Sequence, residues 1–496
     1  LTERRYVCVR HVCQLKLAGL PQPALELYRG RVDPLAKRWY DKGVSERDRE
    51  PLTAVVEQML PSTWGDDALL ALGDLSLQSG DEAAARNYWG RIVPVDPPPD
   101  VPRTWLNYPD TDLSLASVRA RLVLASILVG AEARAADELQ RLEQLHGDAR
   151  GHLAGREVDF VEALGQLLAE SRTWPTLPQN PDWPTFAGAA GRNRIAPPVV
   201  DVGKVAWRRT LRPKPAAEAP AAAKELIPRV AEDAAAPLSF HPVAVGDLVL
   251  ACDARRIWAF DARTGKAAWG EGEGVIYRDM QRIGPIEAEV PPDALGVPRY
   301  TMTVHGDRLY ARMGSPVTTR PQQASSGAGS WLVCLDLKAE GRLVWKIEPD
   351  DDTWALEGAP LCDGGKVYAA MRRSDIRPQA HVACFSAETG RQLWRRFVCS
   401  AETPARATLH EATHQLLTLA GEELFYNTNL GAVGALSTGE GRLRWVALYP
   451  RAVEGDLLKP PPYLSRDLNP CVYHRGTLFV APADSRVIPN AGEVPD

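Results

Sequence analysis

Nine histidines are spread over 496 residues, and two of them stand in the run His410-Glu411-Ala412-Thr413-His414. H-E-x-x-H is the spelling with which two imidazoles on one helix face hold zinc while the carboxylate between them activates a water. That chemistry needs a helix, because four residues of extended chain would set the imidazoles about 13 Å apart. The local pattern leaves both conformations open: TPARATLHEATHQLLTLAG carries a cap at Thr403 and leucines at helical spacing. Register with the rest of the chain favours the strand. His414 opens the first strand of a hairpin that aligns with His241 in HPVAVGD, which places His410 in the preceding loop. The next histidine downstream is His474, too distant to act as a compact third ligand. A zinc metallopeptidase built on His410, Glu411 and His414 is the remote alternative.

Other residue types capable of chemistry are dispersed. The carboxylates Asp350, Asp351 and Asp352 have the oxygen ligands calcium prefers, but adjacent residues in one run point different ways and read as a solvated loop. Asn427 and Asn429 stand at a strand end, where they line a channel or cap a turn, and turn-capping is the favoured reading. Asp253, Asp261 and Asp336 fall at repeated turn sites. The eight cysteines, at 8, 13, 252, 334, 362, 384, 399 and 471, lack CxxC spacing, and those inside apolar runs read as small buried hydrophobes. Cys8, His11 and Cys13 share the apolar face of a helix.

These residues must be positioned by elements, and bulk properties limit what those can be. Lys+Arg 58 against Asp+Glu 63 gives a net charge of −5, which offers no attraction for a phosphate backbone and disfavours nucleic acid as partner. No run of 18 apolar residues exists, so no transmembrane helix is expected. The opening LTERRYVCVR lacks the succession of a secretory signal, and the supplied chain could begin after one.

Residues 1–172 carry helical periodicity. Leu69, Leu72 and Leu75, then Ala85, Trp89 and Ile92, recur at three- and four-residue steps with Gly80 and Asp81 breaking the run between two helices. The placement of Leu72-Gly73, Ala85, Trp89 and Pro97 resembles a tetratricopeptide (TPR) repeat, and a second copy reads from Leu122 through Gly130, Ala135, Leu139 and Leu142. A Pro-rich insertion at 93–112 separates the two.

From about 183 the period changes to short alternating strands, and a Gly-x-x-x-Trp unit recurs: Gly203/Trp207, Gly265/Trp269, Gly341/Trp345, Gly390/Trp394 and Gly441/Trp445. Hairpins turn at Gly246, Gly306, Gly364, Gly421 and Gly476, each with an apolar residue three places on. Successive tryptophans are 62, 76, 49 and 51 residues apart, which suits four-stranded propeller blades with loops of variable length. Stacking such sheets radially buries both faces of each, and an indole at one register would fill the gap between neighbours.

The pattern resembles the PQQ-like β-propeller repeat family, the eight-bladed fold shared by quinoprotein alcohol dehydrogenases and the outer-membrane assembly lipoprotein of the Bam complex. Residues 182–485 carry the resemblance, opening with DWPTFAGAAGRNRI at 182–195. The last hairpin, around Gly476, is not followed by its own Gly-x-x-x-Trp strand, so about five blades and part of a sixth are expected. The ring then either continues in a longer natural protein or stays open. For the enzymes of this family the resemblance implies an adjacent Cys-Cys disulfide over pyrroloquinoline quinone (PQQ), a calcium ion and an Asp base; this chain has no Cys-Cys pair.

The expected organisation is TPR-like α-helical hairpins at 1–172, a linker and opening segment at 173–198, and a PQQ-like β-propeller at 199–496 with an exposed Ala/Pro-rich insertion at 211–237. With TPR-like helices added, the chain resembles bacterial cell-envelope PQQ-like repeat proteins. The first expectation for function is a non-enzymatic scaffold of the envelope that binds other proteins. The alternative is an oxidoreductase dependent on PQQ and calcium, with site residues partly outside this chain.

Overall fold

The computed structural model describes residues 5–93, 106–153, 155–174, 181–196, 203–211, 240–270, 272–279, 294–295, 299–314, 317–318, 329–374, 377–401, 410–451, 468–474 and 476–482. Residues 94–105 of the expected Pro-rich insertion at 93–112, Pro97 among them, and all but Leu211 of the expected insertion at 211–237 lie outside them. Two compact units emerge, Val7–Gln179 and Asn180–Asp496, the second also taking in Thr2–Tyr6.

In the first unit, among the described residues, the helices are α1 (Val9–Ala18), α2 (Gln22–Glu46), α3 (Arg49–Met59), α4 (Gly65–Gln78), α5 (Glu82–Gly90), α6 (Leu115–Leu128), α7 (Glu132–His146) and α8 (Phe160–Ser171). Side-chain caps start several of them: Asp48, Asp81, Ser114 and Asp159 each accept a main-chain N–H of the first turn. The α4–α5 pair closes where Gly73 faces the indole of Trp89, which is fully buried. A side chain at 73 would collide with that ring, so the small residue lets the two helices approach. Before α8 lies a short hairpin that helical periodicity did not anticipate, Arg150–Leu153 paired with Arg156–Asp159, where Gly151 makes room for the Phe160 ring.

The second unit is a succession of antiparallel sheets. Numbering strands along the whole chain, β1 is Arg5–Val7, and β2 and β3 form the hairpin just described. The first sheet is β4 (Val243–Val245), β5 (Leu248–Cys252), β6 (Arg256–Asp261) and β7 (Val275–Arg278) in that order; β8 (Ala294–Leu295) lies apart. The second is β9 (Met302–His305), β10 (Arg308–Gly314), β12 (Ser330–Asp336) and β13 (Arg342–Ile347), with β11 (Val317–Thr318) outside it. The third holds β14 (Trp354–Leu356), β15 (Leu361–Asp363), β16 (Lys366–Ser374), β17 (Pro378–Ser386) and β18 (Gln392–Ser400). After β19 (His410–Thr413) comes the fourth, β20 (Thr418–Ala420), β21 (Glu423–Asn427), β22 (Ala432–Ser437) and β23 (Leu443–Leu448), to which β1 adds as a fifth strand. A last hairpin pairs β24 (Val472–His474) with β25 (Thr477–Phe479).

The cores lie between sheets. One cluster joins Leu250 and Ile257 to Met302 and Leu309, the next Leu332 and Cys334 to Val367 and Ala383, a third Tyr368 and Val382 to Leu424 and Leu436, and a fourth Phe425 and Ala435 to Cys471. The second, third and fourth sheets thus each bury both faces against their neighbours, the solution a radially stacked sheet requires. First strands adjoin one another, β4 with β9, β9 with β15, and β20 with β24. All eight cysteines are free thiols, five of them buried in these cores. The chain therefore has an N-terminal helical region followed by antiparallel sheets stacked as in a PQQ-like propeller.

Candidate functional site

The repeated tryptophans lie against the turn of the following sheet. Trp207 donates its Nε1–H to Ala262 O at 2.9 Å, Trp345 to Ala387 O at 2.9 Å, and Trp394 to Gly439 O at 3.0 Å. In each case the ring covers a glycine held at positive φ, Gly265 (64°), Gly390 (73°) and Gly441 (66°); a Cβ would enter the indole at Gly265 and Gly441 and press on it at 3.0 Å at Gly390. Here glycine does two jobs, since the left-handed turn disfavours a side chain and the stacked ring excludes one. A second aromatic, four residues after the turn glycine of its own sheet, backs the ring: Tyr310 on Trp345, Tyr368 on Trp394 and Phe425 on Trp445, with centroids 5.8 to 6.2 Å apart. That second periodicity is legible in the sequence and was missed.

Gly341 does not receive Trp269. Ile276 fills its cradle, with Cβ 2.8 Å from where a side chain on Gly341 would begin. Just after the tryptophan, Gly270, Gly272 and Gly274 all take positive φ before β7 starts at Val275. A Cβ on Gly203 would meet nothing within 4 Å, and Trp445 packs into the cluster around Phe425 and Cys471.

At the first strands, residues 183–191 thread through the unit. Trp183 N and O pair with Ala244 in β4, Pro184 O accepts from Val304 N in β9, Ala190 O from Leu419 N in β20, and Gly191 O from Tyr473 N in β24. Arg192, 4% exposed, pins the thread: Nε and Nη2 donate to Leu417 O, and Nη1 to Thr185 Oγ1 and Phe186 O. Burial without a carboxylate partner pulls its pKa down to about 9. Elsewhere in the unit Glu357, fully buried, accepts from Arg372 Nε at 2.5 Å, Gln415 N at 3.1 Å and Thr413 Oγ1 at 3.2 Å. Burial alone would lower the Arg372 pKa, but the Glu357 carboxylate holds it above the ordinary value. None of Arg192, Glu357 and Arg372 was singled out from sequence; a charge inside an otherwise apolar strand, as in VYAAMRRS, was the available signal.

The H-E-x-x-H stretch is extended. His410–Thr413 is a strand, pairing antiparallel with Val317–Thr318 and parallel with Ala294–Leu295, so a three-stranded sheet joins connections from three places in the chain. This corrects the expected loop at His410 and the expected strand start at His414: β20 begins only at Thr418, because loop-to-loop pairing captures 410–413 first. His414 Nε2 is engaged by Thr301 Oγ1 at 2.7 Å. Desolvation, then the charges of Arg312, His241, Arg299 and Arg192, hold the His414 pKa well below the usual imidazole value. An extended H-E-x-x-H segment lacks the one-turn geometry that lets two imidazoles share zinc.

A family model described as "Outer membrane protein assembly factor BamB" matches residues 301–476. The C-terminal half carries a PQQ-like β-propeller repeat region. Among solved structures, a quinohemoprotein alcohol dehydrogenase from Pseudomonas putida is 14% identical over 54% of this chain and 40% of its own, with a TM-score of 0.35. The quinohemoprotein alcohol dehydrogenase from Comamonas testosteroni is 15% identical over 55% and 41%, with a TM-score of 0.34. BamB from Moraxella catarrhalis is 13% identical over 50% and 70%, with a TM-score of 0.21. The chain thus spans about two fifths of the length of those two dehydrogenases. No curated protein matches the sequence.

Among the described residues, most groups that could hold a quinone and calcium are engaged elsewhere. Asp350 is paired with Arg395, and Asp351 is spent on Thr353 of its own loop. Asn429 donates to Gln415 Oε1 and Asn469 Oδ1, and Asn427 to Asn469 O, so both asparagines tie the fourth sheet to the last hairpin. Glu357 already accepts from three donors, and no two cysteines are adjacent.

Proposed function

We propose that this protein is a non-enzymatic scaffold of the bacterial cell envelope that binds other proteins through the outer side of its PQQ-like propeller. The observation that carries the reading is a row of apolar side chains on β13, β18 and β23: Leu343, Val344, Leu393, Phe397 and Leu448 are 38% to 51% exposed. Phe397 and Leu448 stand at the same place in their repeats, three residues after Trp394 and Trp445, and β18 adjoins β23. Apolar side chains repeated in register at a surface are a mark of interfaces. The description of the matching family, an outer membrane assembly factor, is the ground for the envelope. Among the described residues no helix is long and apolar enough to cross a membrane.

Photo-crosslinking amino acids at 397 and 448, introduced in the native host, test this. Discrete protein adducts are expected, lost when Leu393 is changed to Asp with the thermal transition unmoved. Absence of adducts at both positions, or stoichiometric uptake of PQQ with calcium accompanied by alcohol oxidation, overturns it.

A further inference from the structure

β18 is the last strand of the third sheet, and among the described residues no strand lies beyond it. The main-chain N–H and C=O groups on the outer edge of such a strand are a template for another strand. The fourth sheet shows what the corresponding edge accepts, because β1 adds there as a fifth strand outside β23. β23 carries a bulge at Arg444, with Trp445 opposite Ala435 and Leu443 opposite Leu436. β18 carries the same bulge at Leu393, with Trp394 opposite Cys384 and Gln392 opposite Phe385. Bulges are among the devices that keep foreign strands off an edge. The seating of β1 on β23 means that this one does not. From Trp394 to Phe397, before a second bulge at Val398, β18 runs in unbroken register with β17. At nine residues it is longer than β7 (four) and β13 (six), the last strands of the first two sheets.

The side chains along that stretch state what kind of strand suits it. Trp394 turns toward the fourth sheet, where it donates to Gly439 O. Arg396, two residues on, shares that side, and Phe397 takes the other, its ring edge-on to His381 directly across on β17. Both are exposed, Phe397 to 51%. Arg395 is committed to Asp350 and to the face of Trp354, whereas Arg396 reaches the main-chain oxygen of Arg395 at 3.4 Å. β18 itself contains no carboxylate. A strand laid along this edge therefore meets a cation on one side of the sheet and an apolar ring on the other. Opposite charges on adjacent strands favour pairing, and like charges oppose it.

We propose that the outer edge of β18 receives an extended segment of a partner protein as an added strand, with a carboxylate beside Arg396 and an apolar side chain beside Phe397. This inference rests on the scaffold reading and says how the partner is held. Main-chain hydrogen bonds supply affinity, and the two flanking side chains select the partner.

The test places a photo-crosslinking amino acid at 396 or at 397 of the full chain in the native host and maps the joined residues by mass spectrometry. A strand in the plane of the sheet passes both positions, so both should join one partner segment at neighbouring residues. With the crosslinker at 397, Arg396→Glu should cut the adduct yield roughly threefold to tenfold, and Arg396→Lys should keep it. Adducts from 397 alone, adducts from the two positions to separate segments, or a yield unmoved by Arg396→Glu overturn the added strand and leave the scaffold reading standing. Adducts to a second copy of this chain overturn it as well. Silence at 396 and 397 also overturns it, and the scaffold reading falls with it only where 448 is silent too.

Discussion

At the scale of single residues, the polar interior of the second unit is held by groups whose neighbours suppress or enforce charge. His381 shows this with the fewest parts. It lies 8% exposed between the rings of Trp354 and Phe397, its Nε2 on Gln379 Oε1, with Arg395 and Arg373 stacked on Trp354. Burial, then the two guanidinium charges, brings its pKa down to about 4. In the unfolded chain the same imidazole titrates near 6.5, so between those values the unfolded state binds the extra proton. The contribution is fully present above pH 6.5 and is lost as pH falls toward 4. Wild type should lose about 2 kcal/mol from this residue between pH 7 and pH 5. His381→Gln should remove that part of the pH slope in urea melts. An unchanged slope would mean that the imidazole is already charged in the folded protein.

At the scale of elements, each tryptophan and the turn glycine of the following sheet form one device. Gly441 and Gly364 separate its two components: both take positive φ, but a Cβ on Gly441 would lie 2.5 Å from Trp394 Cε3, whereas one on Gly364 meets nothing within 4 Å. Gly364→Ala should cost about 1 kcal/mol for the left-handed backbone alone. Gly441→Ala adds about 1–3 kcal/mol of overpacking. Urea midpoints compare the two, and equal losses would deny the ring any part in the turn. The glycines and indoles of this device were legible in sequence because a repeat displays them five times. Exceptions to the repeat were not: Trp269 keeps its spacing from Gly265, yet the glycines at 270, 272 and 274 take positive φ and Ile276 takes the cradle at Gly341. Similarly, His410–Thr413 pairs with two short segments far away in sequence, and no local pattern encodes a partner chosen at such separation.

At the scale of the second unit as a whole, cohesion rests on more than repeated sheets. Sheet-to-sheet burial is pairwise, each core joining a sheet to the next, so among the described residues it carries no tie between the first sheet and the last hairpin. The thread at 183–191 supplies one, with main-chain bonds to β4, β9, β20 and β24, and Arg192 fixes it in place. Its sequence, DWPTFAGAAGRNRI, gave the segment away as an opening motif but not its path, because a thread without periodicity shows no burial pattern. Arg192→Lys keeps the charge and discards the fork. A lysine reaches one or two of the three oxygens that the guanidinium serves, and its ammonium is more costly to desolvate. Each buried acceptor left over costs about 1–3 kcal/mol. The variant should therefore lose about 2–4 kcal/mol, and amides at Val304, Leu419 and Tyr473 should exchange hydrogen faster together, since they bond to the same thread. Acceleration at Leu419 alone would show that the thread holds each sheet separately, and that the sheets stay together by their pairwise cores.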